Sequence, residues 1–328
     1  MKKIAYIASA VFAGLGFTST ASADVSVSGS QVLMYSAADS VTILRNYGSV
    51  DFGLSTTTSS GMTISSGAGM SISDGAHGLT TADATVYGFD GLTFATGGVT
   101  IEIGTDVPLA DGVGEVGGIH ASDATNDHSG MKTISNQVSV ASDEGAGMSL
   151  TTAVGGATLT LAYVSDAGTD GDSSERLDDA TSTGASAKIS TSLGSVGLTA
   201  AFVSYDPASG DNQTETAAAL SYDTGAGTVT VGYGNSAGLA ATKGSVVSAN
   251  YKLALDADTS FAVGYTSYDV NSTTGTGTNV SLVRALGGGA SVFADFGTVS
   301  GTTTAASASG SSSLTATSVV AVGTKVAF

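Results

Sequence analysis

The side chains that could carry out chemistry in this chain are serines, carboxylates and three histidines, His77, His120 and His128. A hydrolase would need a histidine beside a serine nucleophile, with an acid that orients the imidazole ring. Serine is frequent throughout this sequence, so such neighbours arise by chance, and no spacing marks a specific triad. We therefore predict that the chain has no catalytic site and is not an enzyme.

Two acidic stretches could instead bind divalent cations. The first, 120–128, combines two histidines with Asp123 and Asp127, but its spacing matches no compact metal site. The second is 166–175, whose candidate ligands are Asp170, Asp172 and Glu175. Calcium takes about six to eight oxygen ligands, often from such clusters, but this stretch lacks the spacing of a helical calcium loop. We expect weak divalent binding there at most, with solvated surface charge as the alternative, and no cofactor.

The amino terminus has the features of an export signal. Lys2 and Lys3 precede an uncharged apolar run over 4–17, and small residues follow, ending in Ala-Ser-Ala at 21–23. This order is typical of a secretory signal peptide that is cleaved after Ala23. A membrane anchor is the alternative, but the run is short for a bilayer span of about 20 residues. We predict a signal peptide at 1–23 and a mature domain at 24–328.

The composition excludes several classes of protein. The 28 acidic residues outnumber the 10 basic ones and give a net charge of −18, which excludes nucleic acid as a partner. The chain has no cysteine, so disulfides and thiolate metal sites are impossible. After residue 23, no apolar run approaches the roughly 18 residues of a membrane-spanning helix.

Strand periodicity runs through the mature chain and is clearest at its end. Phe328, Val326, Val322 and Val320 alternate with residues that are smaller or, like Lys325, charged. A period of two indicates a strand with one apolar face. The alternation recurs at 25–30, 49–54, 99–104, 157–163, 229–233 and 249–255. Because the second face consists mainly of Ser, Thr, Gly and Ala, we expect it to be uniformly small.

Short and long connections alternate between these strands. The short ones are 58–61, 96–97, 155–156, 193–194, 224–226, 256–258 and 287–289. The long ones are 37–44, 73–84, 106–147, 166–182, 206–213, 236–244, 269–277 and 300–312. Seven short and eight long connections join sixteen strands, with short turns on one rim and long loops on the other, as in outer-membrane barrels. In such a barrel the last strand should close against the first near Val25 and Val27.

The segment 134–140 leaves the strand count open, since it also resembles a strand. Counting it as part of the wall would give seventeen strands and place the carboxyl terminus on the wrong rim. We therefore assign it to the long third connection.

Two architectures compete for this pattern. A soluble β-sandwich or β-solenoid, as in an exported acidic surface-layer or adhesin-like protein, needs large side chains to fill a core about 10 Å thick. A face of Ser, Thr and Gly cannot fill such a core, but it suits the aqueous lumen of a barrel with about sixteen strands. In lipid, a closed barrel also pairs every backbone group. We predict an all-β, transmembrane, antiparallel β-barrel of sixteen strands.

Four segments carry a resemblance to a known family. They are 24–29 (Asp-Val-Ser-Val-Ser-Gly), the hairpin 50–62, the hairpin 286–292 and the terminal 322–328 (Val-Gly-Thr-Lys-Val-Ala-Phe). In order and spacing they resemble the general-diffusion porins of Gram-negative bacteria, of the alphaproteobacterial type. The resemblance implies a homotrimer in the cell outer membrane, in contact with lipid and lipopolysaccharide. It also implies a third external loop folded into the pore, and a carboxyl-terminal strand, ending in Val326 and Phe328, that the barrel-assembly machinery recognises.

The resemblance identifies 106–146 as the constriction loop. This stretch carries seven acids against Lys132: Asp106, Asp111, Glu115, Asp123, Asp127, Asp143 and Glu144. By strand parity, further charges should face the lumen from the wall: Glu102, Arg45, Lys188 and Lys252. An acidic constriction concentrates cations. We therefore expect passive diffusion of small hydrophilic solutes and ions, with a mild preference for cations.

Overall fold

The fold is known from a computed structural model. It describes residues 23–38, 41–73, 83–87, 91–110, 112–119, 144–165, 182–207, 210–237, 243–270, 273–301 and 318–328. Among these residues, no helix is long and apolar enough to cross a membrane.

The described residues form seventeen antiparallel strands. In chain order they are β1 (Ala23–Ala38), β2 (Val41–Thr57), β3 (Thr63–Ser73), β4 (Asp83–Tyr87), β5 (Gly91–Thr96), β6 (Val99–Pro108), β7 (Glu144–Val154), β8 (Ala157–Ser165), β9 (Thr183–Leu193), β10 (Val196–Asp206), β11 (Gln213–Asp223), β12 (Gly227–Ala237), β13 (Gly244–Ala254), β14 (Thr259–Val270), β15 (Thr273–Gly287), β16 (Ala290–Gly301) and β17 (Ser318–Ala327).

These strands close into a barrel of sixteen positions. Both β4 and β5 pair with β3, at its far and near ends, so together they occupy one position in the wall. The last strand, β17, pairs with 30–37 of β1 and so closes the sheet. The predicted sixteen-stranded antiparallel barrel is confirmed.

The seam, where β17 pairs with β1 and closes the barrel, begins farther along β1 than the sequence suggested. Val25 and Val27 pair with β2, whereas β17 ends opposite Gly29 and Ser30. The expected closure of the last strand on β1 is confirmed, but it ends at Gly29 rather than at Val25 and Val27, because β1 extends past the carboxyl terminus on the side of the short turns.

The two faces of the wall differ as the alternation predicts. One face, here called the apolar face, carries large side chains that are exposed around the whole barrel, including Val27, Phe52, Leu161, Tyr233 and Val322. The opposite face, here called the mixed face, carries Ser, Thr, Gly and charged residues toward the short turns. Exposed apolar residues on most of the strands suit contact with lipid on this side.

The mixed face is not uniformly small, which corrects the expectation from sequence. It buries three apolar clusters, mostly toward the long connections, although the first extends along β16 to Phe293 near a short turn. They comprise Val32, Met34, Ala38, Phe293, Val299, Val319 and Ala321; Val107, Leu109, Ala162, Val164, Val203 and Tyr205; and Val246, Tyr268 and Val270. These residues lie on the same side of their strands as the small residues nearer the short turns. Val246 and Ser248, which are two residues apart in β13, are an example. The mixed face therefore has a mainly polar half toward the short turns and a packed half toward the long connections.

All seven short connections are confirmed as turns, but two long connections are shorter than predicted. β1 and β2 remain paired up to Ala38 and Val41, so only 39–40 lie between them. β14 and β15 remain paired up to Val270 and Thr273. In both places β-branched and hydroxyl residues continue the ladder beyond the point where the sequence suggested a loop. The segments 74–82, 120–143, 166–181 and 302–317, including 134–140, lie outside the described residues.

Candidate functional site

A β-bulge at the end of β6 directs the chain across the mixed face. The register of β6 against β7 shifts between Gly104 and Val107, so β6 has one extra residue there. A bulge bends its strand and rotates the side chains that follow. Val107 consequently packs on the mixed face against Val164 and Val203. Pro108 ends the strand, where its missing N–H costs no ladder bond.

The described residues that follow, 109–110 and 112–119, lie across the mixed face from β9 to β15 and are called the crossing segment. Polar side chains of four strands bind its backbone. Ser186 Oγ of β9 accepts from Ala110 N (3.1 Å), and Glu215 Oε1 of β11 accepts from Gly112 N (2.9 Å). Farther along, Ser248 and Asn250 of β13 and Asn279 of β15 make the contacts.

The contacts on β13 and β15 satisfy donors and acceptors of the segment together. Ser248 Oγ donates to Gly114 O (2.6 Å) and accepts from Val116 N (2.8 Å). Asn250 Nδ2 donates to Val116 O, and Asn279 Nδ2 donates to Gly117 O (2.8 Å). Because a side chain of the barrel binds nearly every second peptide group, the crossing segment is fixed in register on the wall.

Facing glycines bring the crossing segment into backbone contact with the wall. A Cβ on Gly232 of β12 would lie 2.2 Å from Gly114 O. A Cβ on Gly264 of β14 would lie 2.0 Å from Gly117 O and 2.9 Å from Ile119 Cγ1. Glycine inside a strand often marks such a close approach by another backbone. These wall positions therefore have no room for a larger residue while the segment is in place.

Two acids predicted for the constriction lie within the crossing segment or shortly before it. Glu115 belongs to the crossing segment and is partly exposed. Asp106 lies in the bulge and is exposed. Asp111, Asp123 and Asp127 lie outside the described residues, so their predicted roles remain predictions.

The predicted charges of the wall lie on the mixed face, as parity requires. Glu102 of β6 accepts a hydrogen bond from Ser149 Oγ (3.2 Å). Lys188 of β9 is partly exposed between Ser186 and Ser190, and Lys252 of β13 is exposed below Asn250.

Arg45 shares this face but lies in its packed half. It pairs across the strands with Met34, and its guanidinium lies 5.4 Å from the centre of the Tyr47 ring. Arg45 is thus separated along the wall from Lys188 and Lys252, which lie nearer the short turns.

The two carboxyl-terminal residues of interest lie on the apolar face. Phe328 and Val326 are 69% and 46% exposed. Phe328 exchanges two backbone hydrogen bonds with Gly29, each of 3.0 Å. A Cβ on Gly29 would lie 2.7 Å from Phe328 Cζ, so the ring lies over a position that only glycine leaves open.

One turn of the short-turn rim is stabilised by a carboxylate. Asp256 Oδ1 accepts from the N–H groups of Asp258 and Thr259, each at 2.8 Å. The hydrogen bond from Asp258, followed by those from Thr259 and by the nearby Arg284, lowers the pKa of Asp256 below its ordinary value. Arg284 is exposed on the apolar face, 3.9 Å from Asp256, where its long side chain can reach an interface.

No cluster of three or more potential metal ligands occurs within the described ranges. The proposed divalent ligands Asp170, Asp172 and Glu175 lie outside those ranges, so weak binding there remains a prediction.

Sequence reasoning missed the residues that bind the crossing segment. Glu215, Ser248 and Asn279 were not singled out, and Asn250 entered only as a polar-face residue of 249–255 beside Lys252. The glycines Gly232 and Gly264, inside strands and on the same face as these polar residues, were a usable signal. Glycine inside a strand often marks a place where another backbone segment comes close.

The comparisons with known proteins agree with this architecture. No family model and no curated protein matches the sequence. A variant of Rhodopseudomonas blastica porin with three substitutions is 18% identical, with a TM-score of 0.67, and the match covers 93% of this chain and 100% of that chain. A variant of the same porin with two substitutions gives 17% and 0.66 with the same coverage. A further triple mutant gives 18% and 0.65, again over 93% and 100%.

At these identities the likeness concerns the fold, and it extends over nearly the whole of this chain. The resemblance to porins that the sequence suggested is thus confirmed at the level of architecture: the chain has the closed, sixteen-stranded antiparallel barrel fold of Rhodopseudomonas blastica porin.

Proposed function

We propose that the chain is a passive diffusion channel for small hydrophilic solutes and ions across the outer membrane of a Gram-negative bacterium. The observation that carries this proposal is the crossing segment, hydrogen-bonded to the mixed face from β9 to β15. A barrel of about sixteen strands has a lumen too wide to fill with side chains alone. If the apolar face meets lipid, the mixed face surrounds that lumen, and the segment narrows it.

Export and assembly belong to the same proposal. The signal peptide is removed after Ala23, and the mature chain forms a homotrimer in contact with lipid and lipopolysaccharide. The barrel-assembly machinery recognises the terminal strand through Val326 and Phe328. A soluble surface-layer or adhesin-like protein is less favoured, because exposed apolar side chains around the whole wall would aggregate in water.

The channel itself has a direct test. Mature protein purified in detergent should insert into planar bilayers in discrete conductance steps and should let small sugars swell liposomes, more slowly as the sugar becomes larger. It should also migrate as a heat-modifiable trimer on detergent gels. A chain that stays soluble without detergent and adds no conductance would contradict the proposal and favour the surface-protein alternative.

Cation preference is the finer part of the proposal. It rests on the excess of carboxylates over Lys132 in 106–146 and on Glu102 of the wall. Arg45, Lys188 and Lys252 oppose it, so the preference should be mild. Fixed charge in a narrow passage changes local ion concentrations, and this effect is screened by salt.

Neutralising two described acids of the mixed face and the crossing segment should reduce this preference. We expect Glu102→Gln combined with Glu115→Gln to lower the cation-to-anion permeability ratio about twofold, measured as a reversal potential in a dilute KCl gradient. Asp206→Asn combined with Asp269→Asn is the matched control, because both acids are exposed at strand ends on the other face. Anion preference of the wild type would refute this part alone.

A further inference from the structure

Glu215 differs from the other residues that bind the crossing segment because its side chain is a carboxyl group, which can ionise. The other four, Ser186, Ser248, Asn250 and Asn279, are neutral. Glu215 is only 2% exposed, and its Oε1 accepts from Gly112 N at 2.9 Å. A hydrogen bond to a carboxylate is shorter and stronger than one to a neutral acceptor, but a buried carboxylate is costly to desolvate.

The bond partner of Glu215 begins a tight turn. Gly112 has a φ of +63°, which glycine adopts readily, and its carbonyl accepts from Glu115 N at 2.9 Å. Within the turn, Gly114 packs against the backbone of Tyr233. The position of the Glu115 backbone is therefore determined by Gly112 at one end of the turn and by the wall contacts of Gly114 at the other.

We propose that Glu215 is a positioning residue: it holds the turn 112–115 so that Glu115 keeps its place beside the passage. The inference rests on the proposed channel function and deepens it, because it names the wall residue through which Glu115 contributes to ion selectivity. What Glu215 supplies is a correctly placed acceptor for Gly112 N–H.

Two substitutions separate the acceptor from the charge. Glu215→Gln keeps an oxygen at the same reach and removes the charge, so its reversal potential should stay near that of the wild type. Glu215→Asp keeps the carboxyl group, but the side chain is one methylene group shorter, so its oxygens lie farther from Gly112 N. We expect Glu215→Asp to lower the cation-to-anion permeability ratio about twofold and to raise open-channel current noise, because the turn becomes mobile.

The same pair in a Glu115→Gln background tests whether Glu215 acts through Glu115. Glu215→Asp should then cause no further change in the permeability ratio, since groups that act together are not additive. Asp206→Asn again serves as the control, and heat-modifiable migration confirms that each variant is folded.

The opposite pattern would overturn the inference. If Glu215→Gln shifted the reversal potential and Glu215→Asp did not, Glu215 would act through its charge. If both variants matched the wild type, the turn would not depend on Glu215. A wild type without any conductance would instead refute the channel function itself.

Discussion

Replacing Gly264 by valine is expected to raise single-channel conductance about twofold or more, since the crossing segment can no longer lie against β14. A Cβ at this position would meet Gly117 O at 2.0 Å, Asn279 Oδ1 at 2.5 Å and Ile119 Cγ1 at 2.9 Å. The backbone of Gly264 does not have a positive φ, so valine adds no backbone strain there. Two of these atoms belong to the segment and the third to Asn279, which binds Gly117 O, so valine should release the segment from the wall and end its constriction of the lumen.

The wall offers a matched control for this substitution. Gly67 of β3 also lies on the mixed face, directly opposite Gly53, and a Cβ there would meet only Phe52 O at 3.6 Å. Gly67→Val should therefore leave the conductance unchanged. A folded Gly264→Val barrel with wild-type conductance would show that the crossing segment does not limit the channel.

Parity along the strands predicted much of this arrangement. It placed Lys188 and Lys252 on the same face as the small polar residues and Phe328 on the apolar face, because a strand rigidly alternates its side chains. Parity could not predict that Glu215 would accept a hydrogen bond from Gly112 N–H. That contact joins residues far apart in the chain, and it depends on how far the bulge before Val107 rotates the chain.

Two features of the wall differ from what the sequence predicts, for a common physical reason. The connections 37–44 and 269–277 were expected to be long loops, but threonine and valine continue the ladder there. The mixed face was expected to be small throughout, yet Val246 and Tyr268 follow the same parity and pack near the long connections. Polarity alone does not mark where a strand ends when β-branched residues are present.

Deleting Phe328 is expected to reduce the yield of heat-modifiable barrel about tenfold, because it removes the backbone pair that ends the seam. Phe328 N donates to Gly29 O and Phe328 O accepts from Gly29 N, and Ala327 N donates to Gly289 O beside them. An unpaired peptide group in contact with lipid costs several kcal/mol, so the seam should open from this end. Refolding into detergent micelles, followed by gel migration without heating, measures the yield.

Side-chain variants separate the backbone contribution from that of the aromatic ring. Phe328→Ala keeps both bonds to Gly29 and removes only a ring that is largely exposed, so its refolding yield in detergent should stay close to that of the wild type. Val320→Ala, another exposed position on the apolar face of β17, is the matched control. If Phe328→Ala refolds normally in detergent but fails to assemble in cells, the ring serves recognition by the assembly machinery while the backbone closes the barrel. If Phe328→Ala fails in detergent as severely as the deletion, the ring over Gly29 is itself what holds the seam, and the backbone argument is wrong.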